Sequence, residues 1–360
     1  MVEMFRNDDS ALRARVERVR QERVALGLSG LVGGLEIVMV SVEPDRLKGA
    51  ASEFLNTTGY DFATSLQFDD GQGCVLSMPG SADFLFRTRT SGTQPFAGEP
   101  LGPKSAHLPG TRVEAMVFAC RDLERFVAIQ KKRGVRFLTE DIVRSDASLF
   151  IQTVPSAYSA LSFGFVQWLH GERRHVSSLV RAGGWCLRKP EYFHLKDIGV
   201  FDHASVRVRA KDRDDAIVEF LELTDYEFAM AVYVDNLNSI TNVARLANEP
   251  YAMVITSGLG DAAAGEEGPT EKFIQNYGRR IHHLAFRTES IENTFASLKA
   301  QGMEFLLELV GSREDGLKQT FSRPSAQTLI VNEYIQRYEG FDGFFTKSNV
   351  TLLTEATAKQ

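Results

Sequence analysis

Two copies of one module lie in this chain, and that duplication limits the folds open to it more than any single motif does. Residues 112–118 (Arg-Val-Glu-Ala-Met-Val-Phe) align with residues 280–286 (Arg-Ile-His-His-Leu-Ala-Phe) at an offset of 168, and the match runs without a gap for about thirty residues. Phe118 falls on Phe286, Leu123 on Ile291, Glu124 on Glu292, Ala128 on Ala296, Gly134 on Gly302 and Phe137 on Phe305. A second pairing, at offset 166, sets Gly33-Gly34-Leu35-Glu36-Ile37-Val38 against Gly199-Val200-Phe201-Asp202-His203-Ala204. Two segments repeating in the same order at nearly the same offset imply a doubled fold.

Each copy reads locally as strand, helix, strand, with further strands behind. Residues 113–119 and 281–287 have strand character. The stretches that follow place Leu123, Phe126, Val127 and Gln130, and Ile291, Phe295 and Leu298, at helical spacing. Gly134 and Gly302 stand where a helix end takes up positive φ. Short strands are expected at Val135–Leu138 and Met303–Leu307, and later ones at 317–322 and 327–336. The copies should meet around 170–195, where glycines, charges and Pro190 break the apolar pattern. The Gly- and Ala-rich run 256–270 reads as an exposed mobile loop. Residues 1–26 read as a charged amphipathic helix with Leu12, Val16 and Val19 on one face, and no targeting segment is expected there.

A length of 360 residues suits two domains. The net charge of −6 argues against nucleic acid as a partner. Three scattered cysteines, Cys74, Cys120 and Cys186, encode neither a disulfide framework nor a thiolate zinc site, which points to a reducing, cytoplasmic setting. The apolar stretch from Leu28 to Val42 is interrupted by Glu36, so no membrane span is expected.

Positions shared by the copies report packing; positions where they differ report chemistry. His203 stands against Ile37, and His283 against Ala115, so two of seven histidines occupy matching sites on matching strands of one copy. Strict strand alternation keeps His282 and His283 from facing the same interior, and the pairing selects His283. In the β-like run 328–335, Glu333 shares a face with Leu329, Val331 and Ile335. A carboxylate on an apolar face demands a partner or a metal. A lone histidine on a strand is more often a core residue, but two imidazoles and a carboxylate together are the ligand set of non-haem Fe(II) oxygenases, with zinc or manganese close in ligand preference.

Phe201-Asp202-His203, Ile281-His282-His283-Leu284-Ala285-Phe286 and Asn332-Glu333-Tyr334-Ile335-Gln336-Arg337 resemble the iron-binding strands of 4-hydroxyphenylpyruvate dioxygenases, of the vicinal-oxygen-chelate superfamily. Asn248-Glu249-Pro250, Gln319-Thr320-Phe321-Ser322-Arg323-Pro324 and the tail Phe344 to Ala356 are similar to further segments of that family. The resemblance implies an α+β fold of tandem duplicated βαβββ modules forming two half-open β-barrel domains flanked by helices. Its boundaries would be a helical extension over 1–30, a domain without metal ligands over 31–175, and a catalytic domain over 176–360 closed by a C-terminal helix. It implies Fe(II) held by His203, His283 and Glu333. Substrate contacts would come from Ser239, Asn248, Gln319, Phe321 and Phe345.

The implied activity is oxidative decarboxylation of a 2-oxo acid by O₂ with hydroxylation of the product, in a cytoplasmic enzyme expected to be a homo-oligomer. The alternatives are a hydroxymandelate-synthase-like oxygenase, a metal-dependent ring-cleaving dioxygenase or isomerase, and a non-catalytic ligand-binding protein. The metal ligands follow the family while the pocket drifts: His282 replaces a glutamine, Val350 replaces an aromatic wall, and an upstream glutamine has no counterpart. That pattern suits the family's reaction type on a different substrate.

Overall fold

A computed structural model describes residues 5–90, 94–247, 251–260, 267–341 and 343–360. The first half holds α1 (Asp9–Ala25), β1 (Val32–Ser41), α2 (Leu47–Thr57), β2 (Asp61–Phe68), β3 (Gly71–Ser77), β4 (Asp83–Arg87), β5 (Arg112–Cys120), α3 (Leu123–Lys132), β6 (Val143–Arg144), β7 (Ser148–Gln152), β8 (Ser162–Trp168) and β9 (Arg181–Ala182). The second holds β10 (Ile198–Arg207), α4 (Arg213–Leu223), β11 (Glu227–Val234), β12 (Ser239–Arg245), β13 (Ala252–Ser257), α5 (Pro269–Tyr277), β14 (Arg280–Thr288), α6 (Ile291–Ala300), β15 (Val310–Ser312), β16 (Leu317–Phe321), β17 (Val331–Arg337) and α7 (Lys347–Thr357).

The duplication is visible strand by strand. The first sheet runs β6-β7-β8-β5-β1-β4-β3-β2-β9 and the second β15-β16-β17-β14-β10-β13-β12-β11, the same order apart from the edge strand β9. Each half is itself a pair of βαβββ units, joined by the antiparallel central pairs β1–β5 and β10–β14. Two curled half-barrels flanked by helices result, as the resemblance implies.

Helical periodicity explains what lies between the sheets. In α2, Leu47, Ala50, Ala51, Phe54 and Leu55 form one buried stripe, and in α4 Ala216, Ile217, Phe220 and Leu221 do the same. Phe54 meets Phe84 of β4 at 4.5 Å and Phe286 of β14 at 5.6 Å, while Phe220 meets Phe118 of β5 at 5.8 Å and Phe163 of β8 at 5.6 Å. One aromatic-rich core therefore joins the halves, which leaves each sheet a second, inward-curling face. In the first half Ile37, Met39, Leu66, Val75, Leu85, Ala115, Val117 and Val166 fill that face.

Local expectations hold unevenly. Gly134 and Gly302 end α3 and α6 at φ +88° and +93°. The strands expected at Val135–Leu138 and Met303–Leu307 reduce to single bridges, Phe137 to Thr153 and Phe305 to Ser322. The late strand begins at Val331 rather than 327, because Leu329 turns the chain at φ +61°. The reading of 256–270 as one exposed loop is corrected: Thr256 and Ser257 end the buried strand β13, Leu259 is buried, and Pro269 opens α5, whose Phe273 and Ile274 need cover. Residues 261–266 of that run lie outside the described residues. The N-terminal helix is stapled to the second half, where the buried Arg213 guanidinium donates to Asp9 Oδ1 at 2.6 Å and to Asn242 Oδ1 at 2.8 Å. Among the described residues no helix is long and apolar enough to cross a membrane.

A pH-sensitive contact also crosses the halves. On α4, Glu219 accepts a hydrogen bond from Ser156 and is pushed up to about 7, chiefly by burial. The folded state therefore holds its proton more tightly than the unfolded chain does. Its favourable term is complete below pH ~4.3 and is lost as pH rises through about 7. Glu219→Gln is expected to be more stable than the parent at pH 8 by on the order of 1–3 kcal/mol and indistinguishable from it at pH 4. Urea melts of both proteins at the two pH values check this.

Candidate metal centre

The inward face of the second sheet carries polar side chains where the first carries apolar ones. His203 on β10 pairs with Ala285 on β14, and Ala285 pairs with Glu333 on β17, so these three positions lie side by side across the sheet. The alanine methyl leaves room for the larger groups to meet over it. The same row in the first half is Ile37, Val117 and Gly164. There a Cβ on residue 164 would lie 2.8 Å from Val117 Cγ2, so no carboxylate fits. His283, two residues before Ala285, completes the cluster.

His203 Nε2 lies 3.0 Å and His283 Nε2 3.2 Å from Glu333 Oε2, and the three ligand atoms all fall within 4.8 Å of one another. Ligands about 2.1 Å from one cation at right angles stand about 3.0 Å apart, which matches both imidazole–carboxylate separations.

Neighbouring groups set the protonation each ligand needs. His203 Nδ1 donates to Asp202 Oδ2 at 2.7 Å, which leaves Nε2 as the lone-pair nitrogen, and that buried atom has no hydrogen-bond partner. Burial pulls the His203 pKa down, but the Glu333 charge and the bond to Asp202 outweigh it and raise it to about 9: the environment favours a positive charge at Nε2. Asp202 is itself fully buried. Burial pushes its pKa up, yet the Arg337 charge and the His203 bond hold it far below the usual carboxylate range. Arg337 grips Asp202 through two bonds of 2.6 and 3.0 Å, and Arg287 adds a third at 2.8 Å.

His283 is held well below its ordinary pKa by burial and by the neighbouring His282, His203 and Arg207, which favours the neutral imidazole a metal would need. Gln319 donates to Glu333 Oε1 at 2.6 Å and is steadied by Asn349 of α7 at 3.0 Å, which leaves Oε2 facing the imidazoles.

A β-bulge modifies the alternation expected at the second histidine. Between the pairs Ser205–His283 and Val206–Ile281 the strand β14 carries one extra residue, His282. Both rings therefore reach Phe321, and their Nδ1 atoms lie 2.7 Å apart. With His282 Nε2 donating to Gln360 Oε1 at 3.1 Å, His282 Nδ1 is the acceptor for His283 Nδ1–H, and His283 Nε2 is free to ligate. The expectation that the two histidines face apart is thus corrected.

Among the residues expected to contact substrate, Gln319, Phe321 and Phe345 border a cavity of about 30 Å³ beside Glu333 and His283. Phe321 lies 4.7 Å from the His283 ring and Phe345 5.2 Å from the His203 ring. Ser239 is buried at the head of β12, its hydroxyl without a partner, and is not among the residues bordering the cavity. Asn248 lies outside the described residues. The cavity also takes in Ser205, Arg207, Thr241 and Thr256, none of them anticipated from the sequence. Ser205 and Arg207 stand two and four residues beyond His203, so strand alternation carried past the first ligand points to both.

No family model and no curated protein matches the chain. Solved structures do. A triple mutant of 4-hydroxymandelate synthase from Streptomyces coelicolor superposes with a TM-score of 0.67 over 90% of this chain and 98% of its own, at 16% identity. A xylose isomerase-like TIM barrel/4-hydroxyphenylpyruvate dioxygenase fusion protein gives 0.64 over 97% of this chain and 58% of its own, at 13% identity. The chain thus shares the fold of these structures, and among its described residues one potential metal site is found, in the second half. Its fold is the one that 4-hydroxymandelate synthase has.

Proposed function

We propose that the chain is a non-haem Fe(II) dioxygenase that oxidatively decarboxylates a 2-oxo acid and hydroxylates the product. One observation carries this reading: His203, His283 and Glu333 converge with facial spacing in one copy of a doubled fold, while the equivalent row of the other copy is apolar. Fe(II), when bound, supplies O₂ activation and a chelating position for the carboxylate and keto oxygens.

The chain does the rest. Asp202 and His282 keep the two imidazoles in the ligating tautomer, Gln319 orients the carboxylate, and Phe321, Phe344 and Phe345 keep the centre dry. The cavity of about 30 Å³ holds no more than a water, whereas ligand sites occupy roughly 300–1,000 Å³. Substrate entry on this reading therefore displaces Phe345 and the α7 residues Val350, Leu353 and Thr354, which roof the cavity.

The stoichiometry balances with one O₂ per substrate. Cleavage of C1 from C2 releases CO₂ and gives up two electrons, and hydroxylation of a C–H bond gives up two more. One oxygen atom enters the new carboxylate and the other the hydroxyl. The reading carries with it a cytoplasmic homo-oligomer, which sedimentation of the purified protein measures. Anaerobic Fe(II) reconstitution followed by oxygen-electrode screening of aryl and alkyl 2-oxo acids tests the activity. Oxygen uptake matched by CO₂ release is expected. Uptake without CO₂ indicates ring cleavage, and a silent electrode across the panel overturns the reading.

A further inference from the structure

One cation beside the centre has no counter-charge. Arg207 ends β10, is 3% exposed and borders the same cavity as Glu333 and His283. Of its five N–H donors, one reaches Thr270 Oγ1 at 3.1 Å and one faces His282 Nδ1 at 3.5 Å, and Nε has no partner. Neither partner, a hydroxyl and an imidazole, is an anion. Among the described residues no carboxylate pairs with Arg207. Glu333, which shares the cavity, is already engaged by Gln319, His203 and His283.

Two other arginines of the second half show the contrast: the buried Arg213 is paired with Asp9 and the half-buried Arg337 with Asp202. Arg280, also buried without a carboxylate partner among the described residues, donates to the Thr111 carbonyl and does not border the cavity. A buried guanidinium without an anion is costly, and arginine keeps its charge at neutral pH. An unpaired one facing a cavity is therefore a ready receptor for an anionic ligand. The surroundings agree. Ser205 and Thr256, whose hydroxyls are 3.2 Å apart, and Thr241 line the cavity with Arg207, a polar stretch in a lining that Phe321 and Phe345 share.

We propose that Arg207 binds a second carboxylate of the substrate, so that the enzyme acts on 2-oxo dicarboxylic acids with the 2-oxo acid end at the metal centre. This rests on the proposed dioxygenase activity and deepens it. Arg207 is a specificity residue: it selects among 2-oxo acids by the far end of the molecule.

The test compares 2-oxopentanedioate with 2-oxopentanoate, equal in chain length and differing in one carboxylate, and likewise the four- and six-carbon pairs. Two readouts are taken, oxygen uptake by the Fe(II)-reconstituted enzyme and thermal shift of the Fe(II)-loaded protein under anaerobic conditions. The expected result is at least a hundredfold preference in kcat/KM for a diacid, lost in Arg207→Met through KM, with the diacid losing at least tenfold more than the monoacid. A diacid should raise the melting temperature of the parent and not of Arg207→Met. Without ligand, Arg207→Met should melt at or above the parent temperature, because it removes an uncompensated buried charge. An arginine present for structure would instead lower it, and Arg207→Lys serves as the charge-retaining control.

Equal use of mono- and diacids, or equal losses on both in Arg207→Met, overturns this proposal and leaves the dioxygenase reading standing. Diacid binding that depends on Arg207, with no oxygen uptake on any substrate, upholds the anion site and overturns the activity.

Discussion

Asp202→Asn is expected to lower stability by on the order of 3 kcal/mol and to weaken metal binding 10–100-fold, although residue 202 is not a ligand. Two effects combine. The charge of Asp202 is the common partner of Arg337 and Arg287, and an amide in its place leaves the Arg337 guanidinium without a counter-charge in a largely buried position. The amide also presents an N–H that can face His203 Nδ1 and reverse the tautomer, which moves the lone pair away from the centre. Because the folded pKa of Asp202 is depressed, its favourable term is present above pH ~3.9 and is lost only as pH falls through the lower folded value. Denaturant melts at pH 7 and anaerobic Fe(II) titration by calorimetry measure the two losses. A variant that binds metal as the parent does would remove Asp202 from the account of the centre.

Glu333→Ala should have the larger effect on chemistry. Four-ligand structural zinc sites bind with about 10–16 kcal/mol, so one ligand contributes roughly 3–4 kcal/mol, a loss of 10²–10³-fold in metal affinity. Oxygen uptake should fall below detection with every 2-oxo acid, at any iron concentration that leaves the protein soluble. Glu333→Gln separates charge from shape. It can still meet Gln319 and fill the row beside Ala285, yet it offers a neutral oxygen to the cation. If Glu333→Ala kept the iron affinity of the parent, the cation would have to lie elsewhere, and the proposed function would fall with it.

How much of this was legible in the residues can be argued position by position. His203 and His283 stood out because the duplicated halves act as an internal control. Where one copy holds Ile37 and Ala115, packing alone cannot account for imidazoles in the other. Glu333 followed from period-two alternation, which is set by the strand itself. Helix stops at Gly134 and Gly302 were equally local, since positive φ favours residues without a Cβ.

The misses share one cause. The β-bulge at His282 depends on how β14 lines up with β10, and a single strand carries no record of its partner's register. Strand alternation places Arg207 on the face of His203, but its lack of a counter-charge emerges only once Thr270 on α5 and Glu333 on β17 are brought around it. Likewise nothing near Asp202 in sequence announces Arg337, which lies 135 residues away. The run 256–270 looks like a loop by composition, and only the cover given by neighbouring elements buries its two ends.

The amino-acid order alone therefore determined that the fold is doubled, which copy holds the candidate ligands and which three side chains could meet a cation. Those properties reside in repeat spacing and strand periodicity, both readable along the sequence without knowledge of strand register. Tertiary structure decided the rest: that the three ligand atoms converge to within 4.8 Å, that their tautomers are set by Asp202 and His282, and that an arginine faces the same cavity without a counter-charge. Distances between strands far apart in the chain arise from register and sheet curvature, and no local pattern encodes them.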